Sequence, residues 1–172
     1  MSQYFPSIAI TAFFGGVLRL LMLRSDYRQY PTYPHGYISH LALGFVAASL
    51  GAVALPALLE EEFVAVTFLS LAAQQFREIR NIERETLAKV DADEMIPRGD
   101  QYIEGIARSF EARNFLVMGC TLVLSAVDLW VLDNFPFPLR AGALAGITLV
   151  LFLLLQNVTE GRSWHRPVVV AA

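Results

Sequence analysis

Residues 39–59 read SHLALGFVAASLGAVALPALL, twenty-one consecutive residues without an Asp, Glu, Lys or Arg. A helix of about 20 apolar residues is long enough to cross the roughly 30 Å hydrocarbon core of a bilayer. The stretch therefore predicts a transmembrane helix, and three glutamates at residues 60–62 predict where it ends. The whole chain agrees with this. Of its 172 residues, 55% are hydrophobic and only 17% are charged, which is too apolar for an ordinary soluble domain of this length.

Four further apolar runs flank this stretch, and together the five runs predict an all-α polytopic membrane protein with a single membrane-embedded domain over residues 1–172. The other runs lie at about residues 7–23, 63–76, 115–132 and 139–158. Run 63–76 is short for a full crossing. Its helical pattern continues among charges to Val90, so we expect one long helix, half in lipid and half in water. Gln74 and Gln75 then need shielding by neighbouring helices or a place at the interface.

The basic residues predict how the chain is oriented. The connectors after the second and fourth runs contain no Lys or Arg. Because Lys and Arg are retained on the cytoplasmic side, we expect five crossings, with the N-terminus outside and the C-terminus in the cytoplasm. The first run lacks a basic n-region and is expected to remain in the membrane, with Arg19 reaching the nearer interface. Eleven of the thirteen basic residues fall in three stretches, which are Arg24 and Arg28; Arg77, Arg80, Arg84, Lys89, Arg98, Arg108 and Arg113; and Arg162 and Arg166.

A cytoplasmic helical segment of about residues 77–114 joins the third and fourth runs. Within it, Gly105 is unusual, because a mid-helix glycine costs about 1 kcal/mol relative to alanine, and close approach of another backbone is one compensation. In a structural interpretation, the helix lies on the membrane or folds against the Phe76–Val90 helix. In a functional interpretation, Glu104 and Arg108 form a docking face for a partner. Both interpretations can hold together. The pattern consists of one stripe of Tyr102, Ile103, Ile106 and Phe110, and another of Glu104, Arg108 and Glu111.

The six residues Tyr102, Ile103, Glu104, Gly105, Ile106 and Ala107 spell YIEGIA. Together with residues 26–31, 41–56 and 75–87, this string resembles the YIEGIA family of endospore-forming Firmicutes over most of the chain. The resemblance implies an integral protein of the cell or forespore membrane that is associated with sporulation and has no established biochemical activity. It also implies that a small soluble capping-type subunit works with some members. Members of the family are longer than 172 residues, which leaves room for a further C-terminal part.

A second cluster of candidate residues lies in the first connector. Tyrosines at the ends of membrane spans commonly sit in the headgroup layer, so a membrane-interface loop is the favoured interpretation. Two histidines five residues apart with one nearby carboxylate make only a weak metal pattern, and we expect neither a metal nor a cofactor. The residues of this loop are Asp26, Tyr27, Arg28, Tyr30, His35 and His40.

A polar stripe runs along the fourth apolar run, where Asn114, Thr121, Ser125 and Asp128 share one helical face that must avoid lipid. Arg140 begins the fifth run across a short hairpin, so we predict that it pairs with Asp128. A clamp that holds the hairpin is favoured over an ion or proton path.

Two rows of small residues also predict close helix packing. They are Gly44, Ala48 and Ala52 in the second run, and Gly142 and Gly146 in the fifth. Packing within the chain is favoured over contact between copies in a homo-oligomer.

No familiar catalytic motif accompanies these patterns. The sequence has no HExxH, GxSxG or phosphate-binding glycine loop, so no catalytic residue is assigned. With a net charge of −3, no global basic field favours nucleic acid. The favoured hypothesis is a sporulation-associated membrane scaffold or regulator that recruits a soluble cytoplasmic partner through the YIEGIA helix and its neighbour. The alternative is a membrane protease, or another membrane enzyme, that needs a small partner subunit.

Overall fold

The computed structural model describes residues 2–26, 34–92 and 99–161, and within these ranges the chain is helical apart from short turns. A 3-10 turn, Ser2–Tyr4, precedes the first helix, and a π-helical turn, Asp128–Leu132, extends the fourth. The predicted all-α class is confirmed over these ranges. The five long helices are α1 (Phe5–Asp26), α2 (Pro34–Leu59), α3 (Phe63–Ala92), α4 (Asp100–Val127) and α5 (Phe137–Gly161).

Four stretches of these helices are long and apolar enough to cross a membrane. They are Phe5–Leu23, Ile38–Leu59, Asp100–Leu132 and Phe137–Gln156. They contain most of the first, second, fourth and fifth predicted runs. The fourth stretch is longer than predicted, because α4 continues without a break from Asp100, where the sequence pattern separated a cytoplasmic helix from a crossing. The charged second half of α3 keeps its mean hydropathy low, so the third crossing stays a prediction.

The centre of the bundle is the seam where α2 packs against α1 and α4. Its helices approach closely because the facing side chains are small: Ala48 and Ala52 of α2 are fully buried. A Cβ added at Gly51 would lie 2.2 Å from the backbone oxygen of Met118 on α4. Small side chains allow this van der Waals contact between backbones. The predicted role of the small-residue row of α2 in internal packing is confirmed.

The outermost helix is α5, which packs on α1 through an apolar cluster that includes Ile10 and Leu144. Only 11% of its most apolar 18-residue stretch is buried, whereas the corresponding share in the other three candidate spans is 33–44%. A Cβ added at Gly142 or Gly146 would meet no described heavy atom within 4 Å. The prediction that this second row packs inside the chain is therefore wrong, because the row faces outwards.

A tight turn reverses the chain between α2 and α3. Glu61 adopts φ 55°, and the Glu62 N–H donates to the Ala57 carbonyl over 2.9 Å. At the far end, the His40 Nε2 of α2 lies 3.4 Å from the Glu83 Oε1 of α3. The segments between these two points are each about 30 Å long at 1.5 Å per residue. Because both ends meet, α3 runs antiparallel to α2 over the whole apolar length of α2.

Beyond the level of His40, the second half of α3 pairs with the first half of α4 to form a helical hairpin. Leu87 of α3 packs with Ile103 and Ile106 of α4 in a small apolar cluster. The Gly99 N–H before α4 donates to the Asp91 carboxylate over 3.1 Å. The motif helix was predicted either to lie on the membrane or to fold against the Phe76–Val90 helix. The structure confirms that it folds against α3.

Candidate functional site

The YIEGIA helix buries one narrow stripe of apolar side chains. Ile103, Ile106, Ala107 and Phe110 are buried against the rest of the chain. Tyr102 was predicted to belong to this stripe, but 43% of it is exposed. In a helix of 3.6 residues per turn, position 102 lies at the edge of the face that positions 103, 106 and 110 form, so its side chain is less buried than theirs.

Glu104 of the motif faces α3. Its carboxylate oxygens lie 3.9 Å from Arg80 Nη1 and 3.9 Å from Arg84 Nη1, and Arg80 Nη1 also donates to Glu111 Oε2 over 3.3 Å. Arg108, one helical turn further along, is exposed. The arginines of α3 therefore contact Glu104 within the hairpin, and its grouping with Arg108 on one docking face stays a prediction.

The outward surface of the YIEGIA helix consists of Gln101, Tyr102, Gly105, Arg108 and Ala112, all exposed; we call it the motif face. A Cβ added at Gly105 would meet no heavy atom of the described chain within 4 Å. The prediction that Gly105 lets a neighbouring helix of the same fold approach is therefore wrong. Its helix-propensity cost is not offset by any contact within the described part of the protein.

Arg19 was expected to reach the membrane interface, but its side chain is fully buried inside the bundle. Its aliphatic stem occupies the space that Gly44 leaves open, since a Cβ at Gly44 would lie 2.1 Å from Arg19 Cγ. Its guanidinium carbon lies 5.8 Å from the centre of the Phe110 ring, within the range of a cation–π interaction. The missing side chain at Gly44 explains why the arginine turns inwards.

His40 was assigned to the membrane-interface loop, but it lies on α2 and is buried. Its ring meets that of Phe110 edge to face, with centroids 4.3 Å apart and planes at 84°, and it contacts Glu83 of α3. His40 therefore joins α2, α3 and α4, which corrects its assignment.

Of the other loop candidates, Asp26 and His35 lie on α1 and α2. Tyr27, Arg28 and Tyr30 lie outside the described residues, so the headgroup interpretation of these tyrosines stays a prediction.

The predicted Asp128–Arg140 pair is present at the opposite end of the bundle. Asp128 is fully buried. Arg140 Nε donates to its Oδ1 over 3.0 Å, and Arg140 Nη2 donates to its Oδ2 over 2.5 Å. Nη2 also donates to the Ser7 hydroxyl over 2.8 Å, a contact that helical periodicity does not predict. The pair joins α1, the π-helical turn and α5, which is the geometry of a structural clamp.

The polar stripe of α4 avoids lipid as predicted. Asn114, Thr121, Ser125 and Asp128 are all fully buried. The Ser125 hydroxyl donates to the Ala52 carbonyl of α2 over 3.2 Å, and the Thr121 hydroxyl donates to the carbonyl of Val117 in its own helix over 2.8 Å. Thr121 also fills the space beside Gly15, where an added Cβ would lie 2.1 Å from its Oγ1. These residues lock the seam of α1, α2 and α4.

The motif and the comparison with known proteins agree on the family. A family model described as YIEGIA protein matches residues 7–169, so the chain belongs to the YIEGIA family. The uncharacterised protein YphB of Bacillus subtilis (strain 168) is 46% identical over 161 residues, which are 94% of this chain and 52% of that protein. The chain thus spans about half the length of this curated relative. No solved structure matches.

Proposed function

We propose that this YIEGIA family member is a sporulation-associated membrane scaffold or regulator whose cytoplasmic hairpin recruits a small soluble protein through the motif face. One observation carries the proposal, which is that Gly105 lies open on that face. A mid-helix glycine costs about 1 kcal/mol relative to alanine. Because nothing within the described chain uses the space, close approach by a partner supplies the reason for it.

The side chains around Gly105 suit a protein interface. Tyr102 offers an aromatic ring with a hydroxyl, and Arg108 offers a charged, planar donor group; both are exposed. Tyrosine and arginine are enriched among the residues that dominate binding energy at interfaces. The ion pairs of Glu104 with Arg80 and Arg84 hold the helix in place, so the motif face is presented on a rigid support.

The proposal requires that the hairpin lie in the cytoplasm, which follows if α3 crosses the membrane. The antiparallel course of α3 along α2, set by the turn at Glu61 and the His40–Glu83 contact, supports this crossing. The nine basic residues of the first and third connectors then share one side with the hairpin, as cytoplasmic retention of Lys and Arg favours. With five crossings, the N-terminus is outside.

Cysteine labelling tests this topology, with Cys120→Ala as the background. Glu61→Cys and Gln101→Cys are introduced separately, and intact protoplasts are treated with a membrane-impermeant maleimide. We expect label at position 61 in intact cells and label at position 101 only after permeabilisation. If both positions react from the same side, α3 does not cross. If position 101 reacts in intact cells, the cytoplasmic location of the hairpin is refuted.

Partner recruitment is tested by affinity capture from membranes of sporulating cells. Gly105→Leu fills the open space on the motif face, while the control Thr86→Leu places the same apolar side chain at an exposed position on α3. We expect a small soluble protein to be retained by the wild type and the control and lost from Gly105→Leu, at equal expression. Equal retention by all three proteins refutes a docking role for the motif face.

The alternative is a membrane protease or other enzyme that needs a small partner subunit. In such an enzyme, the buried Asp128 carboxylate would be the candidate acid or base. However, Arg140 donates a hydrogen bond to each of its two oxygens. A carboxylate held in this way serves as a structural ion partner rather than as an acid or base. The described residues therefore favour the scaffold.

A further inference from the structure

The outward side of α3 carries polar side chains at the depth of the membrane centre. Gln74 and Gln75 are exposed, as are Arg77 and Glu78 in the next turn. Gln74 lies eleven residues beyond Phe63, about 16 Å along the helix at 1.5 Å per residue. This is close to the middle of a hydrocarbon core about 30 Å thick. The sequence predicts shielding for these glutamines, but no described helix of the chain covers them.

Lipid is a poor cover for this surface. Polar groups that face hydrocarbon lose their water without gaining hydrogen bonds in return. Elsewhere on the bundle, the exposed side chains at membrane depth include Phe13, Phe45, Leu149 and Val150, which suit a lipid environment. The polar side of α3 therefore points to protein as its neighbour.

Six of the exposed residues of α3 form one continuous stripe at alternating spacings of four and three, which is the spacing of helices that pair side by side. Near its outer end, the Thr67 and Ser70 hydroxyls donate to the Phe63 and Val66 carbonyls of their own helix. They are small enough to permit close helix approach. The stripe, which we call the α3 face, consists of Phe63, Thr67, Ser70, Gln74, Arg77 and Asn81, flanked by Leu71 and Glu78; all are exposed.

We infer that the α3 face binds the α3 face of a second copy of this chain around a two-fold axis along the membrane normal. Two copies in one membrane share an orientation, so such an axis brings residues of equal depth together. Gln74 of each copy then meets Gln74 of the other, and a carboxamide both donates and accepts hydrogen bonds. The centre of the surface is therefore complementary to itself.

The charges beside Gln74 are complementary in the same arrangement. In a helix of 3.6 residues per turn, Arg77 lies about 60° to one side of Gln74 and Glu78 about 40° to the other. A two-fold rotation places Arg77 of each copy opposite Glu78 of the other, which gives two ion pairs around the glutamines. This charge match is the reason to choose a second copy over a helix of another membrane protein.

The inference rests on the proposed crossing of α3 and is independent of partner recruitment. Disulfide cross-linking tests it in native membranes, with Cys120→Ala as the background. On oxidation with copper phenanthroline, we expect Gln74→Cys to give a disulfide-linked species of twice the monomer mass. Val46→Cys, exposed at a similar depth on α2, is the matched control and should stay monomeric.

Charge reversal gives a second readout that does not depend on cross-linking chemistry. In the Gln74→Cys background, we expect Arg77→Glu to lower the dimer yield at least fivefold, because four carboxylates then face one another. Adding Glu78→Arg to that variant should restore the yield. An unchanged yield in Arg77→Glu refutes the second copy as occupant, as does a cross-link from position 74 to a different protein.

The labelling of positions 61 and 101 separates this test from that of the topology. If the two positions react from opposite sides and Gln74→Cys stays monomeric, the crossing stands and the dimer is refuted. If they react from the same side, the crossing fails, and a dimer cross-link would then report a contact outside the membrane, which also refutes the inference as stated.

Discussion

Replacing Gly105 with alanine should make the protein more stable and its partner binding weaker. The mid-helix substitution relieves about 1 kcal/mol of helix-propensity cost. The added Cβ meets no heavy atom of the described chain within 4 Å, so no packing penalty offsets the gain. A change of this size raises the melting temperature of a protein of this length by about 2–4 °C. Weakened capture of the soluble partner by the same variant would show that the glycine serves binding.

Gly44→Ala is the matched control for this substitution. It makes the same chemical change in a helix, but the new Cβ would lie 2.1 Å from Arg19 Cγ and 2.7 Å from its Cδ. Overpacking of this kind typically costs about 1–3 kcal/mol, so we expect a lower melting temperature than that of the wild type. The assay is thermal unfolding in detergent, followed by circular dichroism.

Two results would refute the reasoning about Gly105. A fall in melting temperature in Gly105→Ala would show that a neighbour contacts this position after all. A stabilised Gly105→Ala that captures the partner as well as the wild type does would show that the open position has no role in binding. A binding role for Gly105 requires both the gain in stability and the loss of capture.

Three further substitutions test the packing of the bundle. Arg140→Ala should cost about 3–5 kcal/mol because it leaves a buried carboxylate unpaired, and Asp128→Ala/Arg140→Ala should recover part of the loss in the same melts; strictly additive losses contradict the clamp. Arg80→Ala removes the contacts with Glu104 and Glu111, each worth about 0.2–1 kcal/mol, and should speed limited proteolysis of the hairpin; an unchanged rate argues against a rigid support. Ser125→Ala should cost about 1 kcal/mol through its lost hydrogen bond to α2, and unchanged melting would rule this contact out.

Helical periodicity predicted much of the bundle. It predicted the stretches of α1, α2, α4 and α5 that are long and apolar enough to cross a membrane, and it placed the stripe from Asn114 to Asp128 on one buried face. The Asp128–Arg140 pair was predictable because a short hairpin brings the two residues together whatever the rest of the fold does. Local spacing and short connections were sufficient for these features.

Other features depend on which side of a helix a distant segment covers, and periodicity does not contain that information. Gly105 and Gly142 match the pattern of packing glycines, yet both face outwards. Glu104 turns inwards because Arg80 and Arg84 of α3 lie beside it. The inward path of Arg19 depends on the absence of a side chain at Gly44.

The central claim is that a soluble protein binds the motif face, and site-specific photo-crosslinking tests it most directly. A photoreactive phenylalanine analogue replaces Tyr102, the exposed aromatic residue beside Gly105, in cells that are sporulating. The same analogue at Thr86 on α3 serves as the control. We expect one soluble protein to be cross-linked from position 102 and not from position 86. Adducts only with lipid, or the same adducts from both positions, would contradict binding at the motif face.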